Sequence, residues 1–400
     1  MTTTAPRRLF VCAALAAASC AGGAPPRPAW ARIAEPTHVT TTVAIPTSWD
    51  VGIPIVEASI DGHGPLRFLL DSGASGLLID RRVADELKLD LVDLTQDGAG
   101  ANSFDAGEGT FAIRHAARIH EFRAGPLVDR DREALVVDLS LMERASGARI
   151  DGALPAAMFR GGLLTVEHGR GDATFGPGEL PPADGKEVLT IEYDDRCYVT
   201  LDVGGHRCPV LIDTGNDGFM HVPAALETSL RFHQPPAIVG RFATLAGITP
   251  RRAARIDGTI MWGACQVADP VVELSAANYG NVGMEFLREF RVTFDFANRR
   301  VRFERAAGAP VRSPPVRSPG AGFLHDEGAW TVGYVLAGGP AERADLRAGD
   351  RVVAIDGRPA SDVGTVEYEE MLATRAGITL RVVRDGAARE VVVAITTLVE

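Results

Sequence analysis

The chain has 400 residues, 46% apolar and 23% charged, a balance normal for a soluble globular protein of two or three domains. A net charge of −11, a pI near 5.4 and the lack of any large lysine–arginine cluster argue against a nucleic-acid partner. High glycine (43) and proline (25) contents with short apolar runs favour a mainly β, turn-rich architecture.

The N-terminal segment, residues 1–31, reads as a signal peptide. Arg7-Arg8 precede an apolar stretch from about Leu9 to Ala18, too short to span a membrane, and Ala29-Trp30-Ala31 supplies an A-x-A cleavage site. The expected product is exported, periplasmic or extracellular, and begins near Arg32. Arg7-Arg8 fit a twin-arginine signal or an ordinary one, and Ala17-Ala18-Ser19-Cys20 leaves a lipid anchor on Cys20 as the alternative. Beyond this segment nothing is long and apolar enough to cross a bilayer. Export would leave Cys197, Cys208 and Cys265, an odd set without C-x-x-C spacing, read as three small buried residues, with one disulfide among them as the alternative.

Residues 56–73, VEASIDGHGPLRFLLDSG, read as strand, Gly-His turn, strand and then Asp71-Ser72-Gly73. The order returns in 200–215, TLDVGGHRCPVLIDTG, with one residue inserted at the first turn and Asp213-Thr214-Gly215 lying 142 residues after the first motif. Two predicted hairpins, LTVEHGRGDATF (164–175) and VTFDFANRRVRF (292–303), align without a gap at an offset of 128. Between motif and hairpin, Ile150-Asp151-Gly152 matches Asn281-Val282-Gly283. A repeat of this length indicates a duplicated domain. The Gly- and Pro-dense stretch 169–187 separates the halves, and AAGAPVRSPPVRSPGAG (306–322) reads as a semi-rigid extended linker. The remainder changes character: strands VGYVLA and DRVVAIDG, a helical stretch VEYEEMLATRA (366–376), and a closing hairpin turning at Asp385-Gly386. The expected organisation is lobe 1 over 32–180, lobe 2 over 181–305, a linker over 306–319 and a small domain over 320–400.

A carboxylate between two buried strands needs a partner, because burying an ionised acid alone costs several kcal/mol. Two such motifs meeting at a pseudo-twofold axis would place two carboxylates face to face, sharing one proton and titrating as a unit. One would act as base toward a bound water, the other as acid toward a substrate carbonyl or leaving amine. Ser72 and Thr214 could hydrogen-bond across the interface, and Gly73 and Gly215 would allow a tight turn that brings N–H groups to the carboxylates.

With these motifs the chain resembles a retropepsin-like aspartyl protease of the duplicated bacterial type, followed by a PDZ domain. The protease resemblance covers roughly 40–305 and rests on the two apolar-apolar-Asp-Ser/Thr-Gly motifs and on Val282-Gly283-Met284-Glu285-Phe286-Leu287, similar to the family's Leu-Gly-x-x-Phe-Leu. It implies two pseudo-symmetric all-β lobes with the cleft between them, Asp71 and Asp213 as catalytic pair, Ser72, Gly73, Thr214 and Gly215 in support, an attacking water and no metal or other cofactor. The chain departs from the pattern at Asp151-Gly152-Ala153-Leu154-Pro155, a poor version of that segment, and at Asn216-Asp217, where a third acid pointing inward would raise the pair's pKa values. Flap candidates are 99–109 and 240–250. Residues 320–400 resemble an α+β PDZ domain through Gly339-Pro340-Ala341, Gly349-Asp350 and Ile355-Asp356-Gly357. That implies a loop at Gly322, Phe323 and Leu324 whose backbone N–H groups accept a peptide C-terminal carboxylate.

The expected function is an exported aspartic endopeptidase acting on peptide or protein substrates, its PDZ domain capturing C-termini. The alternative is a catalytically silent scaffold that binds through the PDZ domain; a carbohydrate hydrolase using two carboxylates lacks an aromatic-rich sugar platform. His63 and His206, at matching turns, read as exposed turn residues, and Arg251-Arg252 and Arg299-Arg300 as solvated faces or hairpin turns. There is no G-x-S-x-G, H-E-x-x-H or Walker loop.

Overall fold

The computed structural model describes residues 11–12, 29–95, 102–105, 110–193, 196–305, 308 and 310–400. Arg7-Arg8, most of the apolar stretch and Cys20 lie outside the described residues. The protein is mostly β-structure, and among the described residues no helix is long and apolar enough to cross a membrane.

Two sheets repeat one plan. In the first, the hairpin Ile55–Ile60/His63–Asp71 is followed across the sheet by Gly152–Pro155, Leu78–Asp80, Leu127–Val137 and His115–Ala124. In the second, Tyr198–Val203/His206–Ile212 is followed by Gly280–Val282, Met220–Pro223, Val271–Ser275 and Gly247–Arg255. Each motif-bearing strand thus pairs in parallel with a short late strand, and each strand leaving the motif runs antiparallel to that same late strand. Both hairpin turns use left-handed pairs, Asp61-Gly62 and Gly204-Gly205, which suit the twist of flanking strands. The extra residue of the first copy is absorbed after its turn, where the register slips between Ala58 and Ile60 opposite Gly64-Pro65.

A third sheet joins the halves. The two aligned hairpins, Leu163–Glu167/Asp172–Gly176 and Arg291–Asp295/Arg300–Glu304, lie side by side, with Thr165 paired to Thr293. Their hydroxyl oxygens are 3.0 Å apart at an offset of 128, so the pseudo-twofold axis passes between equivalent residues. Phe294, Phe175, Leu164 and Val166 fill the buried side of this sheet, and one apolar core runs through both lobes.

The strand register corrects one alignment. Gly152 pairs with Phe68 and Leu154 with Leu70; Gly280 pairs with Val210 and Val282 with Ile212. Gly152 is therefore the counterpart of Gly280, and Leu154-Pro155 the counterpart of Val282-Gly283. Leu154-Pro155-Ala156-Ala157-Met158-Phe159 is the first-lobe version of the terminal segment, with proline where the second lobe has glycine. Asp151 instead anchors the lobe. It is 1% exposed, accepts the Arg67 N–H at 2.8 Å and pairs with Arg82 at 3.0 Å and Arg149 at 2.8 Å.

Residues 321–394 form a separate sheet, ordered Ala321–Asp326, Ala329–Val335, Arg351–Ile355, Gly377–Arg384, Ala387–Ala394, with helix Thr365–Thr374 and a core of its own. The proline-rich stretch before it is strapped down rather than spanning free. Val311 bridges to Val267, Ser313 Oγ accepts the Val271 N–H at 2.6 Å, and Val316–Ser318 pairs with Thr396–Val399. Its valines at 311 and 316 are buried against the second lobe, so the doubled Val-Arg-Ser-Pro is a packing pattern as well as a spacer.

Candidate active site

Asp71 ends the strand His63–Asp71, and Asp213 directly follows His206–Ile212, so both sit where a buried strand breaks into a turn. Both are fully buried, with Ser72 and Thr214 each 1% exposed. The two motifs interlock. The Ser72 N–H donates to Thr214 Oγ1 and the Thr214 N–H to Ser72 Oγ, both at 3.0 Å. Each hydroxyl then donates to the opposite strand, Ser72 to the Ile212 carbonyl at 2.6 Å and Thr214 to the Leu70 carbonyl at 2.5 Å. Four buried hydrogen bonds thus fix one turn against the other.

The glycines bring their N–H groups to the carboxylates as expected, without a left-handed turn, and serve a second purpose as well. Neither Gly73 nor Gly215 has a positive φ. Instead, a Cβ on Gly73 would lie 2.9 Å from Asp213 Cγ, and one on Gly215 would lie 2.6 Å from Asp71 Cγ. Each glycine leaves the room that the opposite carboxylate occupies. This is how the structure brings the two acids together.

Backbone donors feed both acids. Gly73 and Ala74 donate to Asp71 Oδ1 at 2.7 and 3.0 Å, and Gly215 donates to Asp213 Oδ1 at 3.0 Å. Burial, and then the charge of Asp213, push the Asp71 carboxyl well above the usual carboxylate range despite these N–H groups. Sequence reasoning missed Asn281, whose Nδ2 donates to Asp213 Oδ2 at 2.7 Å. The signal available was a polar residue in an otherwise apolar strand beside the motif.

Asp217 is half-buried, and its charge acts on Arg251. Arg251 is not a solvated side chain: it is 4% exposed and grips Glu273 through two bonds of 2.9 and 2.6 Å. Arg252 pairs with Glu227, and Arg299 takes a left-handed turn conformation. His63 and His206 are exposed. Cys197 and Cys208 are buried, Cys265 is half-exposed, and all three are free thiols. Of the flap candidates, the first contributes the strand Asn102–Asp105, paired with Thr110–Ile113. The second is the turn of Ala237–Thr244 and Gly247–Arg255 in the second-lobe sheet.

Gly322, Phe323 and Leu324 lie within the edge strand Ala321–Asp326 rather than in a loop; the chain reverses earlier, at Pro319-Gly320, where Gly320 has a φ of 76°. Phe323 faces the C-terminal domain's own core, while Leu324 packs into the core of the lobes. The groove between this strand and helix Thr365–Thr374 is bordered by Ala145, Val239 and Arg251 of the lobes. Helix Ser140–Ser146 of the first lobe lies against the edge strand. Arg144 pairs with Asp326 at 2.8 Å, and the Thr365 hydroxyl donates to the Ser146 carbonyl at 2.6 Å.

Residues 56–156 match the family model described as aspartyl protease, and residues 331–384 match that of the PDZ domain. The chain carries an aspartyl protease domain followed by a PDZ domain. The first match contains Asp71; Asp213 enters through the duplication. A protein of Rickettsia conorii named as a zinc metalloprotease is 42% identical over 53 residues, 13% of this chain and 15% of that protein. The chain therefore aligns with only a small part of that relative. Together the two domains support a protease with a PDZ domain.

Proposed function

We propose that the protein is an exported aspartic endopeptidase in which Asp71 and Asp213 act as one pair on a water molecule. The observation that carries this is the mutual seating of the acids: each carboxylate packs against the other motif's glycine, inside a cross-bonded pair of turns. Two fully buried acids in contact cannot both ionise cheaply, so a single shared proton supplies base and acid together. The silent-scaffold reading drew on two departures from the family pattern. The first-lobe segment lies at Leu154–Phe159, where it keeps the leading leucine and closes on two buried apolar residues, Met158 and Phe159, and Asp217 is answered by Arg251.

In this reading lobe 1 covers 32–180, lobe 2 covers 181–305, residues 306–319 connect, and the PDZ domain at 320–400 captures C-terminal peptides from substrates or partners. Removal of the N-terminal segment fits best upstream of Ala29, because Trp30 is 5% exposed and lies so close over Gly76 of the first lobe that a Cβ there would sit 3.2 Å from its ring. N-terminal sequencing of the exported form checks this; a mature chain starting at Arg32 overturns it.

Asp71→Asn, Asp213→Asn and the double variant should each lower peptide-bond hydrolysis by about 10³-fold or more, with no further loss in the double, as expected of groups that act as a unit. Chelators should leave the rate unchanged. All three should fold, and Asp71→Asn should melt higher than wild type at neutral pH. Because the folded-state pKa of Asp71 is raised, the native state holds a proton that the unfolded chain releases. Stability therefore falls as pH rises from the ordinary carboxyl range through the raised value, and the Asn variant escapes that fall. Wild-type hydrolysis by either single variant would refute the two-aspartate mechanism.

A further inference from the structure

The two carboxylates are held by unlike sets of donors. Asp213 receives an N–H on each oxygen, from Gly215 on Oδ1 and from Asn281 on Oδ2. Asp71 receives two on Oδ1, and its buried Oδ2 has no hydrogen-bond donor among the described residues.

The orientation of Asn281 is fixed by a relay that begins at a group able only to donate. The Gly218 backbone N–H donates to Asn216 Oδ1 at 2.7 Å, which turns Asn216 Nδ2 toward Asn281 Oδ1 at 2.9 Å, which turns Asn281 Nδ2 toward Asp213 Oδ2. Reversing either amide would set N–H against N–H. Asn216 and Asn281 are both buried, so water does not compete for these bonds. Gly283 makes the relay fit: a Cβ there would lie 2.9 Å from Asn216 Cγ. The first lobe has no equivalent, since Ala74 stands for Asn216 and Ala153 for Asn281.

Resting on the aspartic-peptidase reading above, we infer that the pair's single proton resides on Asp71 Oδ2 and that Asn281 is a positioning residue that keeps Asp213 the anionic base. A carboxyl proton on Asp213 Oδ2 would point at an amide N–H, whereas the same proton on Asp71 Oδ2 meets no donor and can bridge toward Asp213. The step then balances. Asp213 takes a proton from water as the water oxygen bonds to the substrate carbonyl carbon. The π pair moves to the carbonyl oxygen, which takes the proton of Asp71. On collapse the C–N bond breaks, the amine leaves with the proton held by Asp213, and a diol proton returns to Asp71. The products are a carboxylic acid and an amine, and the pair regains its starting state.

Other charged groups on the elements around the pair already have partners of opposite sign. Asp217 is offset by Arg251, which also holds Glu273; His221 lies 3.7 Å from Glu273, and Glu285 lies 3.9 Å from Arg288. None supplies a donor that would reverse the order of the two acids.

The test uses the full chain and two readouts. Asn281→Ala should shift the acidic limb of the kcat/KM–pH profile upward by about one unit, since losing a hydrogen bond to the charged form favours the proton. A purely structural role would lower the rate and leave the limb in place. Independently of activity, carboxyl ¹³C NMR titrations should give a higher pKa for Asp71 in Asp213→Asn than for Asp213 in Asp71→Asn. An unmoved limb or the reverse order overturns the inference while leaving the two-aspartate mechanism standing. Full hydrolysis by the Asp→Asn variants would instead remove the reading beneath it. Should Asn281→Ala fail to fold, the NMR order alone decides.

Discussion

The two lobes share the order of their central strands and the seat of their aspartates, yet they hold those aspartates differently. What the duplication kept is the backbone frame: the parallel late strand beside the motif, the crossed Ser72 and Thr214 hydroxyls, and glycines that make room for the opposite acid. What diverged is the side chain next to each carboxylate. Gly283, pressed against Asn216, cannot accept a Cβ, whereas the first lobe carries Ala74 and tolerates Pro155 at the matching position. The lesson is that symmetry brings the pair together, and on the inference drawn above it is the asymmetry that would assign its roles.

The most direct way to break the symmetric half of this comparison is to fill the shared space. Gly73→Ala and Gly215→Ala each put a methyl within 2.9 or 2.6 Å of the opposing carboxyl carbon. A carboxylate pushed aside by as little as an ångström costs on the order of 10²-fold in rate. Both variants should therefore lose about that much kcat/KM while melting cooperatively, with Gly215→Ala the worse. Wild-type rates in either would mean the close approach is not needed for hydrolysis. A loss in one lobe and none in the other would break the comparison itself.

Much of this was legible in the sequence. The apolar runs before Asp71 and Asp213, the hairpins at an offset of 128 and the Asp385-Gly386 turn report local requirements that a chain cannot hide. What stayed hidden depended on register or on distant contacts. Gly152 looked like the counterpart of Gly283 because both follow apolar residues, and only the pairing of Leu154 with Leu70 shows the shift. Arg251 reads as a surface cation until Glu273 is seen beside it, and Asn281 is silent until its neighbours Asn216 and Asp213 are placed. The valines of the proline-rich stretch gave no sign of the surface waiting for them.

The smallest expected effect lies at the junction where the first lobe meets the PDZ domain. Helix Ser140–Ser146 lies along the edge strand on which an added peptide strand would pair, and the Arg144–Asp326 and Thr365–Ser146 bonds hold it there. On the proposed reading, a peptide ending in a free carboxylate would have to compete with this helix for the groove. The ion pair is partly exposed, with side chains 44% and 34% accessible, so its loss should cost less than about 1 kcal/mol. That corresponds to a gain of at most about fivefold in peptide affinity for Arg144→Ala in the full chain. Adding Thr365→Val, which removes the second bond, should raise the gain further. Fluorescence anisotropy with a pool of C-terminally free peptides measures it, and the amidated pool is the control. Equal affinities in wild type and the double variant would mean that the helix does not guard the groove; a gain shared by the amidated pool would mean that binding occurs outside the carboxylate pocket.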